Sequence, residues 1–141
     1  MTTVLCHGVF DLLHIGHIEH LMEARTLGDK LIVSVVADAY VDKAKRPMIY
    51  PESVRLACLA ALVCVDQVVL CEAPGPQEII ERMRPDVYVR GDDYEGKRMP
   101  ESDVLERLGI PVRITKPSGY PRTTEIVRKI FSLCNQHQWF A

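Results

Sequence analysis

Leu31-Ile32-Val33-Ser34-Val35-Val36 is an almost unbroken apolar run rich in β-branched residues. A strand with one wet face alternates apolar and polar side chains, and this run has no wet face. It fits a strand covered on both sides, as in a parallel sheet sandwiched between helices. The pattern recurs along the chain. Val4-Leu5-Cys6 and residues 67–71, 86–89 and 111–115 read as further strands. Between them, residues 15–27, 51–62, 76–83 and 103–108 carry helical spacing of apolar side chains. Gly28 and Gly109 read as helix stops, Pro51 as a first-turn proline and Pro85 as a break. Thr123 or Thr124 caps a last helix, with Glu125 in its first turn. Five alternating strand–helix units predict an α/β fold. The expectation is a single-domain, doubly wound, parallel five-stranded sheet over residues 1–141, with right-handed crossovers.

A chain of 141 residues with 48% hydrophobic content can bury a substantial core without disulfides or structural metal. Its formal net charge of −2 offers no basic field for nucleic acid or an anionic membrane. No apolar run approaches the ~20 residues of a membrane span, and the first residues show no signal-peptide pattern. The five cysteines form no CxxC pair, and four of them sit in apolar stretches. They read as buried free thiols in a reducing compartment, so a cytoplasmic location is expected.

Ligands of such sheets bind beyond the carboxyl ends of the strands. The loops after strands one, two and four carry His14 and His17, then Lys43, Lys45 and Arg46, then Arg90-Gly91-Asp92-Asp93. All three fall on one edge of the sheet. His14-Ile15-Gly16-His17 stands where a strand gives way to a helix. A helix start offers unpaired N–H groups and partial positive charge to an anion. Gly16 lets a phosphate approach the backbone, and two imidazoles can donate to phosphoryl oxygens. The competing reading is a metal site of His14, His17 and His20, with His7. It lacks a cysteine or carboxylate at matching spacing and has no use for Gly16. Arg55, one turn into the second helix, is either a holder of acceptor phosphate or a surface arginine. Asp11 either caps the coming turn or binds an acceptor hydroxyl. Asp92 and Asp93 either hold ribose or end the strand in a turn. Trp139 and Phe140 read as helix-end packing, within the chain or across a subunit interface.

The run from Gly8 to His17 resembles the signature of the cytidylyltransferase-like nucleotidyltransferases, whose HxGH box is here His14-Ile15-Gly16-His17. The stretch from Arg84 to Lys97, with Arg90-Gly91-Asp92-Asp93-Tyr94 at its centre, is similar to the strand-four segment of two groups. One is the bacterial glycerol-3-phosphate cytidylyltransferases, the other the heptose 1-phosphate adenylyltransferases. Thr123-Thr124-Glu125-Ile126 is similar to the family's Ser-Thr-Thr-x-Ile segment, with Arg122 in place of serine. Pro117-Ser118-Gly119-Tyr120-Pro121 and Val63-Cys64 depart from the glycerol-3-phosphate enzymes, whereas residues 91–97 lean toward the cytidylyltransferases.

The resemblance implies a Rossmann-like fold and transfer of a nucleoside monophosphate to a phosphorylated acceptor, with release of pyrophosphate. The leading expectation is CMP transfer from CTP to a phosphorylated alcohol or sugar. The alternative is AMP transfer from ATP to a sugar phosphate such as heptose 1-phosphate. A flavin- or coenzyme-precursor adenylyltransferase and a non-catalytic nucleotide-binding regulatory module are the further readings. The implied catalytic residues are His14, His17 and Lys43. Gly8, Val9, Phe10, Gly16, Lys45, Arg46, Arg90, Gly91, Asp92, Asp93, Arg122, Thr123 and Thr124 are implied at the nucleotide, and Asp11 and Arg55 at the acceptor. Mg²⁺ carried on the substrate phosphates and a homodimer are also implied.

Overall fold

The apolar run forms β2 (Lys30–Val36), whose five central residues are all buried. It lies parallel between β1 (Thr3–Gly8), with Val33 opposite Cys6, and β3 (Gln67–Cys71), with Val33 opposite Val68. The computed structural model describes residues 1–42 and 47–136. Lys43, Lys45, Arg46, Trp139 and Phe140 lie outside the described residues.

β4 (Val87–Arg90) pairs with the other edge of β1, and β5 (Val112–Ile114) pairs with β4. The order is β3-β2-β1-β4-β5, with every pairing parallel. The chain therefore builds outward from β1, then returns to its other side, as a doubly wound sheet does. The switch point lies between β1 and β4, and a crevice opens there beyond the strand ends.

α1 (Ile15–Arg25) and α2 (Glu52–Ala60) cover one face. There Leu21, Ala24 and Leu59 pack on Val4, Cys6, Leu31, Val33 and Val35. α3 (Gln77–Met83) and α4 (Ser102–Leu108) cover the other, where Ile79, Ile80, Val104 and Leu105 meet Leu5, Ile32 and Tyr88. Alternate strand residues thus feed opposite cores, which explains why β2 is apolar from Leu31 to Val36 except at Ser34. α5 (Thr123–Asn135) buries only Thr123, and its Phe131 is 67% exposed.

Three local expectations are revised. α1 closes at Thr26, whose N–H reaches the Glu23 and Ala24 carbonyls, before Gly28 is reached. The connections expected as plain loops contain short 3-10 turns at Asp38–Tyr40 and Asp92–Tyr94. All five thiols are free, but only Cys6 and Cys71 are buried.

Arg55 is the larger correction. Its side chain is fully buried, so it is neither a surface arginine nor an open phosphate ligand. Its guanidinium donates to the carbonyls of Val9, Val36 and Tyr50 and pairs with Asp38 at 2.7 Å. Carbonyls at strand ends have lost the ladder, and buried they need donors. One planar fork supplies several. Arg55→Ala should therefore destabilise the fold by about 3 kcal/mol or more, the range for removing one partner from a buried polar cluster. Urea unfolding measures this; wild-type stability with weakened acceptor binding would instead support the phosphate role.

Candidate active site

Beyond the carboxyl ends of the strands lies an open cleft of about 950 Å³. The first loop, the β4 loop and the start of α5 all line it, bringing together Gly8, Phe10, His14, His17, Asp92 and Thr124. Val9, Gly16, Arg90, Gly91, Asp93, Arg122 and Thr123 line it too.

α1 begins at the cleft, and its N-cap is His14, an unusual residue for that place. The Gly16 N–H donates to His14 Nδ1 at 3.1 Å, and the His14 N–H donates to His17 Nδ1 at 3.4 Å. Each Nδ1 accepts, so each neutral ring carries its proton on Nε2. Burial, with the Arg122 cation second, lowers the His14 pKa and keeps that ring uncharged at neutral pH. The rings stack with centroids 3.8 Å apart, and Phe10 meets His17 edge-on at 5.5 Å. No acidic residue occupies the first turn of α1. A positive helix end flanked by two imidazoles suits an oxyanion.

Gly16 has a further reason to be glycine. A Cβ there would lie 2.9 Å from the His14 ring and 3.0 Å from Ser118 Oγ. The missing side chain makes room for the imidazole that caps the helix. Likewise a Cβ on Gly8 would come within 2.9 Å of the Phe10 ring.

Asp11 does not open on the cleft. It is 2% exposed, and its carboxylate accepts from the Ile49 and Tyr50 N–H groups at 2.8 and 2.9 Å. Its backbone carbonyl accepts from Thr123 Oγ1 at 3.1 Å. The expected acceptor ligand is therefore a brace for the loop, and the Thr123 hydroxyl, expected at phosphates, shares that work. Arg122 pairs with Asp92, at 2.8 Å, and with Asp93. Any anion that reaches Arg122 competes with these carboxylates. Arg90 is 7% exposed, donates to the His7 carbonyl at 3.2 Å and lies 3.9 Å over the Tyr94 ring. The Tyr88 hydroxyl, donating to Glu101 at 2.5 Å, completes this cluster in the cleft wall.

Sequence reasoning considered His7 and His20 only as metal ligands and gave no role to Tyr94, Glu101 or Ser118, yet all five line the cleft. His7 Nδ1 lies 3.0 Å from Ser34 Oγ, and His20 Nδ1 lies 2.7 Å from Thr115 Oγ1. A polar residue ending a buried strand was the available signal for His7. The histidines do not converge as a cage: among the described residues no three His, Cys, Asp or Glu side chains gather around a metal position.

Burial, reinforced by the Arg90 cation, pushes the His7 pKa from 6.5 down to about 3. An unfolded chain protonates this histidine below pH 6.5, whereas the folded protein refuses the proton until about pH 3. The stability carried by the neutral ring is thus complete above 6.5 and is lost as pH falls toward 3. The slope is up to about 1.4 kcal/mol per pH unit. Urea unfolding between pH 7 and pH 4 should show a shallower slope for His7→Asn, by up to about that amount; an unchanged slope contradicts the effect.

Comparison with known proteins agrees with this arrangement. The cytidylyltransferase-like family model matches residues 5–112. The chain is 38% identical to the bifunctional protein HldE of Syntrophotalea carbinolica over 96% of its own length and 28% of the relative's. It is 42% identical to HldE of Geotalea uraniireducens over 90% of its length and 26% of that protein's. The chain thus spans about a quarter of these relatives. A crystal structure described as the lipopolysaccharide core biosynthesis protein of Thermoplasma volcanium superposes with a TM-score of 0.70 at 33% identity. That match covers 86% of this chain and 99% of the other. The fold, the clustered first-loop histidines and these matches agree, and the chain belongs to the cytidylyltransferase-like family of nucleotidyltransferases.

Proposed function

We propose that this chain transfers AMP from ATP to a sugar phosphate and releases pyrophosphate. The observation that carries the reaction class is the His14–His17 pair, two neutral rings whose tautomers are set by backbone N–H groups at a helix start. ATP is favoured over CTP, the leading expectation from sequence, by the relatives named HldE. They fall on the heptose 1-phosphate adenylyltransferase side of the resemblance. The lipopolysaccharide title of the Thermoplasma volcanium structure points to the same class of acceptor.

In this reading the α-phosphate lies against the start of α1, where His14 and His17 donate to its non-bridging oxygens. The acceptor phosphate is its own nucleophile, because its second pKa of about 6 leaves it dianionic at neutral pH. Its oxygen attacks the α-phosphorus in line. The bond to the β-phosphate breaks, and the electron pair leaves with pyrophosphate. No covalent intermediate and no strong base are required, so catalysis is positioning and charge stabilisation. The neutral donors favour the transition state, where charge on the equatorial oxygens is redistributed. Thr124 and the α5 start would receive the β- and γ-phosphates. Lys43, Lys45 and Arg46 are carried to the phosphates by the family resemblance alone. Mg²⁺ carried on the triphosphate would supply charge neutralisation; no protein cage gathers for it among the described residues, where Asp92 and Asp93 are engaged by Arg122.

Pyrophosphate release should be measured with ATP, CTP, GTP and UTP against heptose 1-phosphate, hexose 1-phosphates and glycerol 3-phosphate. ATP with a sugar phosphate should be the productive pair. CTP with glycerol 3-phosphate as the best pair would overturn the choice of substrates. His14→Ala and His17→Ala should fold and bind nucleotide yet lose about 10²-fold or more in kcat, as for loss of one oxyanion donor. Near-wild-type turnover in both variants would remove the assigned roles.

A further inference from the structure

The cleft has two halves, divided by the sheet. His14 and His17 stand on the face covered by α1, with Phe10 in the core beneath them. His7 belongs to the other face. Along β1, Val4 and Cys6 enter the α1-side core and Leu5 enters the α3/α4-side core, so His7 follows Leu5. Its neighbours agree: Ser34 follows Ile32 on β2, and Arg90 follows Tyr88 on β4, both on that same face.

His7 is held like a site residue. Ser34, itself fully buried, fixes Nδ1 at 3.0 Å, and the His7 carbonyl is tied to Arg90. No protein partner reaches Nε2 among the described residues. Yet no buried side-chain nitrogen or oxygen there lacks a partner. Nε2 is therefore accessible, and since His7 lines the cleft, it is reached from there. The ring is uncharged at neutral pH, because burial and Arg90 hold its pKa near 3. It is a hydrogen-bond partner for an alcohol rather than a counter-ion for a phosphate.

We infer that His7 is an acceptor-recognition residue whose Nε2 hydrogen-bonds a hydroxyl of a polyhydroxylated acceptor phosphate in the α3/α4-side half of the cleft. The inference rests on the proposed nucleotidyl transfer, in which the triphosphate occupies the α1-side half. In-line attack brings the acceptor to the α-phosphorus from the side opposite pyrophosphate. The half of the cleft not used by the phosphates is where such an acceptor has room. Glu101 and Tyr94 line it together with His7 and make it polar.

The test is steady-state pyrophosphate release with ATP and heptose 1-phosphate, comparing wild type, His7→Asn and His7→Gln. Asn keeps an atom facing Ser34 and removes the ε position; Gln restores a polar atom near it. His7→Asn should raise the acceptor KM about tenfold, the effect of one lost hydrogen bond, and leave the ATP KM within about twofold. His7→Gln should recover part of the loss. Wild-type protein should also discriminate by about tenfold against one member of a series of monodeoxy sugar phosphates. That loss should shrink to about twofold in His7→Asn, since the partner is already gone.

An ATP KM that rises as much as the acceptor KM would place His7 at the nucleotide and overturn the inference. So would unchanged constants in the variants, or a deoxy series handled alike by wild type and His7→Asn. If wild-type protein releases no pyrophosphate with any sugar phosphate, the proposed function falls and the acceptor role falls with it. Release by wild type with no effect at His7 overturns the His7 assignment alone.

Discussion

The loop between β1 and α1 is held from several sides by polar bonds, and the cleft exists because of them. Arg55 takes the Val9 carbonyl, Arg90 takes the His7 carbonyl, and Thr123 takes the Asp11 carbonyl. The Asp11 carboxylate in turn holds the Ile49 and Tyr50 N–H groups. Phe10 and Leu12 adopt left-handed backbone angles, with φ of 53° and 50°. Such angles cost a non-glycine residue about 1–2 kcal/mol each. They persist where surrounding contacts over-determine them, a condition often met at functional sites. Phe10 is then buried under the histidines, and α1 starts at the cleft.

The same economy explains the histidine pair. An ordinary N-cap would satisfy the helix start with a serine or aspartate side chain. Here an imidazole does it, and the cap bond leaves Nε2–H as the donor. In the proposed function, helix capping and oxyanion binding would use opposite nitrogens of one ring, so the folding interaction would orient the chemical one. A carboxylate cap would place negative charge where the proposed function puts a phosphate. Arg90, Tyr88 and Glu101 work in the wall in a related way, as a satisfied polar cluster that holds the ends of β1 and β4 together.

Much of this was legible in the chain. The nearly unbroken apolarity of residues 31–36 requires cover on both faces, and alternating strand and helix patterns then lead to a doubly wound sheet. His14-Ile15-Gly16-His17 could be placed at a helix start facing the cleft because the strand–helix junction is written in the local pattern. Asp11 and Arg55 were less legible. A charged residue near a loop reads as a ligand when its backbone neighbours in space are unknown. Their partners lie 38 and 39 residues away for Asp11, and up to 46 residues away for Arg55. His7 was legible only as a metal ligand beside the other histidines: at the end of an apolar strand it carries no spacing that marks a substrate contact.

Local covalent order determined which segments are strands, where α1 begins, and that two imidazoles meet at its first turn. These depend on contacts within a few residues, or on periodicity, and both are written in sequence. Only the tertiary structure decided which charges remain available to a ligand. Buried carbonyls and N–H groups must find partners once the sheet closes, and they took Arg55 and the Asp11 carboxylate while leaving His7 Nε2 open to the cleft. That competition depends on which strand ends come together, and no stretch of sequence contains it.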